Sequence, residues 1–274
     1  GAEARLDELT SVYATMANKL LNYSKGDDSK FEIGFNKNSK HSKWQYNLSP
    51  SSIYFTFDAL LKVARPEEEA NWQNFSSTQK IAWKTGTSFG FKDAWAIGVT
   101  PKYAVGVWVG NADGEGRPGI IGIEAAAPVL FSIFDVLPKS DWFEFPYDDV
   151  AYANVCSKSG HLATHLCSNV DSVQIPKSAL NTLPCPYHKM VHVNSEKLQV
   201  TKQCSPNDIK SVSWFILPPI MEKYYLKSHP DYLKLPPIKK GCELEKNQSS
   251  IEIIYPNNNQ RLFLPKNFDG EASK

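Results

Sequence analysis

Three apolar, strand-like runs lie close together between residues 81 and 109, and their spacing constrains the fold more than any other feature of the chain. The runs begin at Ile81, Asp93 and Tyr103, and turn-forming residues separate them. The short connection Thr100–Lys102 predicts that the second and third runs form an antiparallel hairpin. The first run is expected to pair beside the second, so the sequence predicts one small three-stranded sheet.

Helical patterns flank these three runs. Apolar residues recur at helical spacing over residues 6–20, and a second helix is predicted over residues 51–63, with Ser49 or Ser51 as its N-cap. A third helix is predicted to begin at Glu124 and to pack on the sheet. The order of elements predicts an α+β fold, an antiparallel sheet with packed helices, followed by a Cys- and Pro-rich region that is mainly β or irregular.

The first strand carries the most informative chemical motif of the chain, Lys84-Thr85-Gly86-Thr87-Ser88. A Lys-Thr-Gly beginning the exit from an apolar strand is how one class of serine acyl-transferases holds a substrate carboxylate. The lysine supplies a cation, the threonines supply hydroxyl groups, and the glycine lets a substrate backbone lie close to the strand. The tripeptide alone arises by chance in roughly a few per cent of chains of this length, so the strand around it gives the motif its weight. We therefore predict that Lys84 is catalytic and that Thr85, Gly86, Thr87 and Ser88 bind substrate.

Composition and charge exclude several classes of function. The chain has 274 residues, of which 42% are hydrophobic, so it is long enough for more than one domain. A net charge of +1 gives no indication of a nucleic-acid partner or an anionic membrane. The longest apolar stretch, residues 129–137, is too short and too interrupted to cross a bilayer, and no signal peptide is present.

The composition changes near Ser140, and every cysteine lies beyond that point. The five cysteines are Cys156, Cys167, Cys185, Cys204 and Cys242. Two disulfides among five cysteines allow fifteen arrangements, and the sequence alone does not choose between them. Proximity along the chain favours the pairs Cys156–Cys167 and Cys185–Cys204, each of which closes a short loop and typically stabilises by about 2–4 kcal/mol.

A metal site is the competing interpretation of the same region. Four histidines stand near the cysteines, namely His161, His165, His188 and His192. Together they could supply tetrahedral sites. Because the spacings match no familiar zinc pattern well, we favour disulfides in an oxidising compartment and predict neither a metal nor a cofactor.

Further segments give the chain a family resemblance. The Lys-Thr-Gly strand, followed by Asp93-Ala94-Trp95-Ala96-Ile97-Gly98 and Val107-Trp108-Val109-Gly110-Asn111, resembles the end of the transpeptidase domain in class A penicillin-binding proteins. Three later segments resemble the tail of the 1C type of these proteins, particularly in Bacteroides-like Gram-negative bacteria. They are Cys185-Pro186-Tyr187-His188-Lys189, residues 214–225 and His229-Pro230-Asp231-Tyr232. The segments 251–258 and 264–270 resemble the first strands of a small C-terminal β module.

This resemblance implies a division of the chain into three parts. Residues 1–140 would be the C-terminal portion of a penicillin-binding transpeptidase domain with a β-lactamase-like fold. Residues 141–247 would be a Cys- and Pro-rich linking region, and residues 248–274 would begin the small β-rich module.

The resemblance also implies an activity for the parent protein. Class A penicillin-binding proteins are bifunctional peptidoglycan synthases: a membrane-anchored glycosyltransferase domain polymerises glycan, and a D,D-transpeptidase domain cross-links stem peptides through a serine acyl-enzyme. β-Lactam antibiotics acylate the same serine. In this family Lys84 would lie near that serine, Thr85 and Thr87 would bind the substrate carboxylate, and the backbone N–H of Thr87 would be an oxyanion donor.

The chain departs from the family pattern in the order of its motifs. The family order is Ser-x-x-Lys, Ser-x-Asn and then Lys-Thr-Gly, but here the only Ser-x-x-Lys is Ser77–Lys80, directly before the Lys-Thr-Gly strand. The only Ser-x-Asn is Ser205–Asn207, far downstream of that strand. We therefore expect the nucleophilic serine, the glycosyltransferase domain and the membrane anchor upstream of Gly1, in a periplasmic protein held at the inner membrane. The isolated chain is expected to be inactive.

Two other functions fit parts of the pattern. A serine β-lactamase-like hydrolase uses the same Lys-Thr-Gly strand, although such enzymes generally end soon after the final helix. A non-catalytic cell-wall binding or scaffolding module is the other alternative. If covering elements are missing, an apolar sheet face and a strand edge are expected to be exposed around Ile81, Trp83, Ala94 and Ala96, with poor solubility or oligomerisation as the result.

Overall fold

The computed structural model describes residues 4–26, 48–66 and 79–242, and the chain divides into two compact units, Gly1–Ala151 and Tyr152–Lys274. The elements of the first unit are α1 (Leu6–Ser24), α2 (Pro50–Leu61), β1 (Ala82–Thr87), β2 (Asp93–Val99), β3 (Ala104–Gly110), a π-helical turn (Gly122–Ala126), α3 (Ala127–Val136) and a 3-10 turn (Tyr147–Asp149). Strand β4 (Val150–Cys156) leads into the second unit. That unit continues with β5 (Val170–Pro176), a 3-10 turn (Lys177–Asn181), β6 (His188–Val193), β7 (Lys210–Phe215) and α4 (Pro219–Ser228). The predicted α+β class is confirmed.

The sheet of the first unit has the predicted antiparallel order β1-β2-β3. Lys84 stands opposite Ile97, and Trp95 stands opposite both Gly86 and Trp108. The β2–β3 connection is closed by the Thr100 N–H, which donates to the Tyr103 carbonyl at 2.8 Å. The prediction of a hairpin with a third strand beside it is therefore confirmed.

Helices cover both faces of this sheet. On one face α3 and the π-helical turn pack on Trp83, whose ring lies 5.0 Å from the ring of Phe131 in an edge-on arrangement. On the other face α1 and α2 pack on Ala82 and Val99. The two apolar cores therefore lie above and below the sheet and hold β1 in place from both sides.

The expectation of an exposed apolar sheet face is not met. The four residues it named are buried, with exposed fractions of 3% for Ile81 and 0% for Trp83, Ala94 and Ala96. The reason is that the apolar side of α3 covers all four. Poor solubility consequently has no basis on this face.

The N-terminus of α2 begins as the serine pattern predicts. Ser49 is the N-cap, and its hydroxyl accepts the N–H of Ser52 at 3.3 Å. The buried Ser51 donates its N–H and its hydroxyl to the Asp149 carboxylate, at 2.8 and 2.6 Å. A negative charge at a helix N-terminus is stabilising, so Asp149 ties the end of the first unit to α2.

The boundary between the units falls at residue 151 and not at the change of composition near Ser140. Phe143 is buried, and its ring lies 5.2 Å from that of Phe57 in α2. Aromatic residues just beyond Ser140 therefore complete the core of the first unit. The small module predicted for residues 248–274 lies outside the described residues, as does Ser77.

The second unit has little apolar core in the part that the structure describes. It contains two two-stranded sheets, β4-β5 and β6-β7, the second antiparallel. Its buried apolar side chains other than cysteines are Val191, Val193, Val200, Phe215 and Leu217. Across the described ranges of both units, no helix combines the length and apolarity that a bilayer crossing demands.

Candidate functional site

Strand β1 lies at the edge of its sheet and carries the Lys-Thr-Gly motif. One side of β1 pairs with β2, and no strand among the described residues pairs with the other side. Lys84 and Thr87 are exposed, while Thr85 and Gly86 are half-buried. The predicted site residues therefore stand together along an open strand edge.

The hydrogen-bond register shows which backbone groups face that open edge. The Ser88 N–H donates to the Asp93 carbonyl at 3.0 Å, so residue 88 faces β2. In an antiparallel pair the bonded residues alternate, which turns the N–H and carbonyl groups of Thr85 and Thr87 away from β2. The N–H of Thr87 is thus directed to the side on which a ligand can approach.

Lys84 is oriented in agreement with this register. Its Nζ donates to the carbonyl oxygen of Thr85 at 2.7 Å. That carbonyl belongs to the set facing the open edge, so the ammonium group lies at the same edge. An exposed cation beside an outward-facing N–H is an arrangement suited to binding an anion.

The side chain of Thr87 is fixed by the turn that precedes α3. Its Oγ1 accepts the N–H of Gly122 at 2.9 Å, which leaves the hydroxyl proton available for another acceptor. A Cβ at Gly122 would lie 2.7 Å from Thr85 Cβ, 2.8 Å from the Gly86 carbonyl oxygen and 2.9 Å from the Trp95 carbonyl oxygen. Only glycine fits there, so the turn packs directly on the strand.

Gly86 contrasts with Gly122. A Cβ at Gly86 would make only an ordinary contact, 3.5 Å from Trp95 Cβ. Its backbone also lies outside the left-handed region. The packing of the described residues therefore does not require a glycine at this position.

Ser88 closes the turn between β1 and β2. Its hydroxyl oxygen accepts the N–H of Asp93 at 2.8 Å, alongside the backbone bond between the same two residues. This bond uses the oxygen as an acceptor and leaves the hydroxyl proton available, and the substrate-binding role predicted for Ser88 stays a prediction. The Ser205–Asn207 motif lies in the second unit, where the hydroxyl of the buried Ser205 donates to the Asp208 carbonyl at 2.9 Å.

The cysteines are arranged differently from the predicted pairs. Cys204 forms a disulfide with Cys242 and not with Cys185, because the segment near Ile238 runs beside Gln199. The other predicted pair, Cys156–Cys167, is not formed. The free cysteines among the described residues are Cys156, Cys167 and Cys185.

These three thiols meet the imidazole of His188. The three Sγ atoms and one ring nitrogen lie within 4.8 Å of one another. The Nδ1 atom of His188 is 3.6 Å from Cys156 Sγ and 3.4 Å from Cys185 Sγ. Sequence reasoning included all four among the candidate ligands but preferred disulfides; the Cys185-x-x-His188 spacing was the signal for a shared site.

The environment of the cluster affects two of its thiols. Burial opposes ionisation of Cys185, but hydrogen bonds from Ser159 and His188 and from backbone N–H groups outweigh it and lower the pKa of Cys185 to about 6. Burial raises the pKa of the Cys167 thiol above its usual value. The cluster therefore combines buried sulfur atoms with nearby hydrogen-bond donors.

Comparisons with known proteins find penicillin-binding proteins among the relatives of this chain. The chain is 47% identical over 57 residues to penicillin-binding protein 1C of Escherichia coli, a match that covers 21% of this chain and 7% of that protein. It is 30% identical over 125 residues to penicillin-binding protein 1A of Clostridium botulinum strain Langeland, covering 43% of this chain and 14% of the relative. The chain thus spans a small part of these relatives. No family model matches.

A comparison with solved structures also finds a penicillin-binding protein. The chain is similar to the crystal structure of penicillin-binding protein 1A from Haemophilus influenzae, with 18% identity and a TM-score of 0.35. The match covers 50% of this chain and 22% of that one.

Proposed function

We propose that this chain, a homologue of the class A penicillin-binding proteins, supplies the substrate-binding strand of a peptidoglycan D,D-transpeptidase. The observation that carries the proposal is the open edge of β1. Lys84 and the outward N–H of Thr87 lie along it, and the hydroxyl of Thr87, which accepts the Gly122 N–H, can still donate its proton. A cation and two donors on one strand edge suit the carboxylate and the developing oxyanion of an acyl-transfer reaction.

Each group has a distinct role in the proposed reaction. A serine oxygen attacks the peptide carbonyl between the last two residues of a stem peptide, and the carbonyl oxygen becomes an oxyanion. The Thr87 N–H donates to that oxyanion, while Lys84 and the Thr85 and Thr87 hydroxyls hold the terminal carboxylate. The serine gives up its proton, the C–N bond breaks and the departing amine takes a proton, which leaves the acyl group as an ester on the serine. The amine of a second stem peptide then attacks this ester and loses a proton, the ester C–O bond breaks, and the serine regains its proton.

The nucleophile and the location of the protein are part of the same proposal. The attacking serine belongs to a Ser-x-x-Lys segment outside this sequence. The glycosyltransferase domain and the membrane anchor of the parent protein also lie outside it. The parent protein then works in the periplasm at the inner membrane, with peptidoglycan stem peptides as substrates. β-Lactams act as inhibitors because their strained amide and their carboxylate bind to the same protein groups as the stem peptide does.

The test compares two lysines in the full-length protein. Lys84→Ala is expected to slow acylation by a fluorescent penicillin by about 10²-fold or more, because transition-state stabilisation is lost. Lys80→Ala removes the same charge from an exposed position just before β1 and is expected to leave the rate unchanged. Equal labelling rates for the two variants would overturn the role of Lys84.

The isolated chain tests the origin of the nucleophile. Incubation of the 274-residue chain with the same penicillin is expected to give no covalent adduct by intact-mass measurement. An adduct would place the reactive serine inside this sequence and would favour a self-contained acylating enzyme such as a β-lactamase-like hydrolase.

A further inference from the structure

Four potential metal ligands converge in the second unit, away from the Lys-Thr-Gly strand in the sequence. They come from three segments: Cys156 ends β4, Cys167 lies in the loop that follows, and Cys185 and His188 stand at the start of β6. Cys156, Cys185 and His188 are buried, and Cys167 is half-buried. Three free thiols and one imidazole form the ligand set of a common class of structural zinc site.

We propose that these four residues bind one structural Zn²⁺ ion, through the three Sγ atoms and Nδ1 of His188. Soft thiolates together with imidazole select zinc over calcium or magnesium. Binding displaces the protons of the three thiols and uses the lone pair of the neutral imidazole. This inference does not depend on the transpeptidase proposal.

The distances fit a tetrahedral ion. Zn–S bonds of about 2.3 Å and a Zn–N bond of about 2.0–2.1 Å place each sulfur roughly 3.6 Å from the nitrogen at the tetrahedral angle. The observed separations from His188 Nδ1 are 3.6 Å to Cys156 and 3.4 Å to Cys185. A disulfide would use two of the three thiols and leave the third buried beside it without a covalent partner.

Backbone hydrogen bonds hold the ligand segments at this spacing. The Cys156 N–H donates to the His161 carbonyl at 2.8 Å, and its carbonyl accepts the Gly160 N–H at 2.8 Å. The Cys185 N–H donates to the Leu162 carbonyl, also at 2.8 Å. One loop therefore bonds to both cysteine-bearing segments and aligns them before any metal binds.

Outer contacts orient the ligand atoms. The Ser159 hydroxyl donates to Cys185 Sγ at 3.2 Å, and the Thr164 N–H donates to Cys167 Sγ at 3.3 Å. The His188 ring packs against Phe215, with the ring centroids 5.0 Å apart. Such hydrogen bonds and packing fix the orientation of the ligand atoms, as the surroundings of metal ligands generally do.

The site has a structural purpose in this unit. All four positions of the tetrahedron come from the protein, which leaves no open position for substrate and distinguishes a structural site from a catalytic one. The described part of the unit buries few apolar side chains. Small cores are commonly stabilised by metals or disulfides, and here the Cys204–Cys242 disulfide would act together with the metal.

The test measures the metal directly. The full chain, purified without chelator and supplied with equimolar Zn²⁺, is expected to contain about one zinc per chain by elemental mass spectrometry. Exchange for Co²⁺ is expected to give the visible d–d bands of a tetrahedral ion and a thiolate charge-transfer band. A chain that keeps three free thiols and takes up no zinc would overturn the proposal, as would a zinc-free chain with a disulfide among the three.

Matched variants identify the ligands. Cys185→Ser and His188→Ala are expected to lose stoichiometric zinc and the cobalt charge-transfer spectrum. His165→Ala changes an exposed histidine outside the cluster and is expected to retain both. Zinc retained at wild-type affinity by both ligand variants would contradict the assignment. The zinc content of the wild-type chain tests the proposal even if a variant fails to fold.

Discussion

Gly86 lies in β1 and Gly122 packs against β1, and an added methyl group is expected to affect protein stability differently at these two positions. At Gly122 the new Cβ would lie within 3.0 Å of three heavy atoms, two of which are backbone carbonyl oxygens. At Gly86 it would meet only the side chain of Trp95, with Cβ at 3.5 Å and Cγ at 4.0 Å. Gly122→Ala therefore tests packing, whereas Gly86→Ala tests the space that a substrate would occupy.

The magnitudes follow from these contacts. Overpacking at Gly122 costs about 1–3 kcal/mol, and weakening the N–H bond to Thr87 costs about 0.5–1.5 kcal/mol more. A gain in helix propensity of up to about 1 kcal/mol offsets part of this, which leaves a net loss of about 1–3 kcal/mol. For a domain of this size the Tm falls by roughly 3–10 °C. Gly86→Ala should be neutral or stabilising by up to about 1 kcal/mol, because alanine restricts the unfolded chain.

The assay measures thermal unfolding and acylation for both variants. Circular dichroism of the 274-residue chain gives Tm, and fluorescent-penicillin labelling of the full-length protein gives the acylation rate. We expect Gly86→Ala to keep its Tm and to be acylated about 10²-fold more slowly, because a methyl group on the strand displaces the substrate backbone. The reasoning would be refuted if Gly86→Ala lost as much stability as Gly122→Ala, or if it were acylated at the wild-type rate.

Two further predictions concern stability in each unit. Asp149→Asn removes the charged acceptor of two Ser51 hydrogen bonds. We expect it to lower the free energy of unfolding of the first unit by about 1–3 kcal/mol, as measured by urea titration. The control variant Asp141→Asn, at an exposed position, should change that free energy by less than about 0.5 kcal/mol. Cys204→Ser opens a disulfide that spans 38 residues and should destabilise the second unit by about 2–4 kcal/mol; a proteolysis half-life equal to that of the wild type would contradict a bond to Cys242.

The sheet could be predicted from the sequence because residues close together along the chain determine it. Strand-forming runs, a short connection and the Ser49 N-cap each act over a few residues, and the observed β1-β2-β3 order and α2 start agree with them. The packing of a helix after Glu124 on the sheet was predicted as well. The apolar spacing predicted the helix, but the burial of Trp83 depends on its packing against Phe131, which no local pattern specifies.

The cysteine cluster could not be predicted because it depends on contacts between residues far apart along the chain. Cys156 and His188 are 32 residues apart, and they meet only because the loop around Leu162 bonds to both segments. Pairing by proximity along the chain failed for the same reason at Cys204, whose partner is Cys242. The sequence offers several cysteines and histidines in this region, and tertiary structure brings four of them together.

The orientation of the Thr87 N–H is the detail on which the acyl-transfer account depends most. A crystal structure of the full-length protein acylated by a penicillin measures it directly. The account predicts the acyl carbonyl oxygen about 2.7–3.1 Å from the Thr87 nitrogen, with the penicillin carboxylate beside Lys84 and the threonine hydroxyls. An acyl group bound away from the open edge of β1, with Thr87 making no contact to it, would contradict the account.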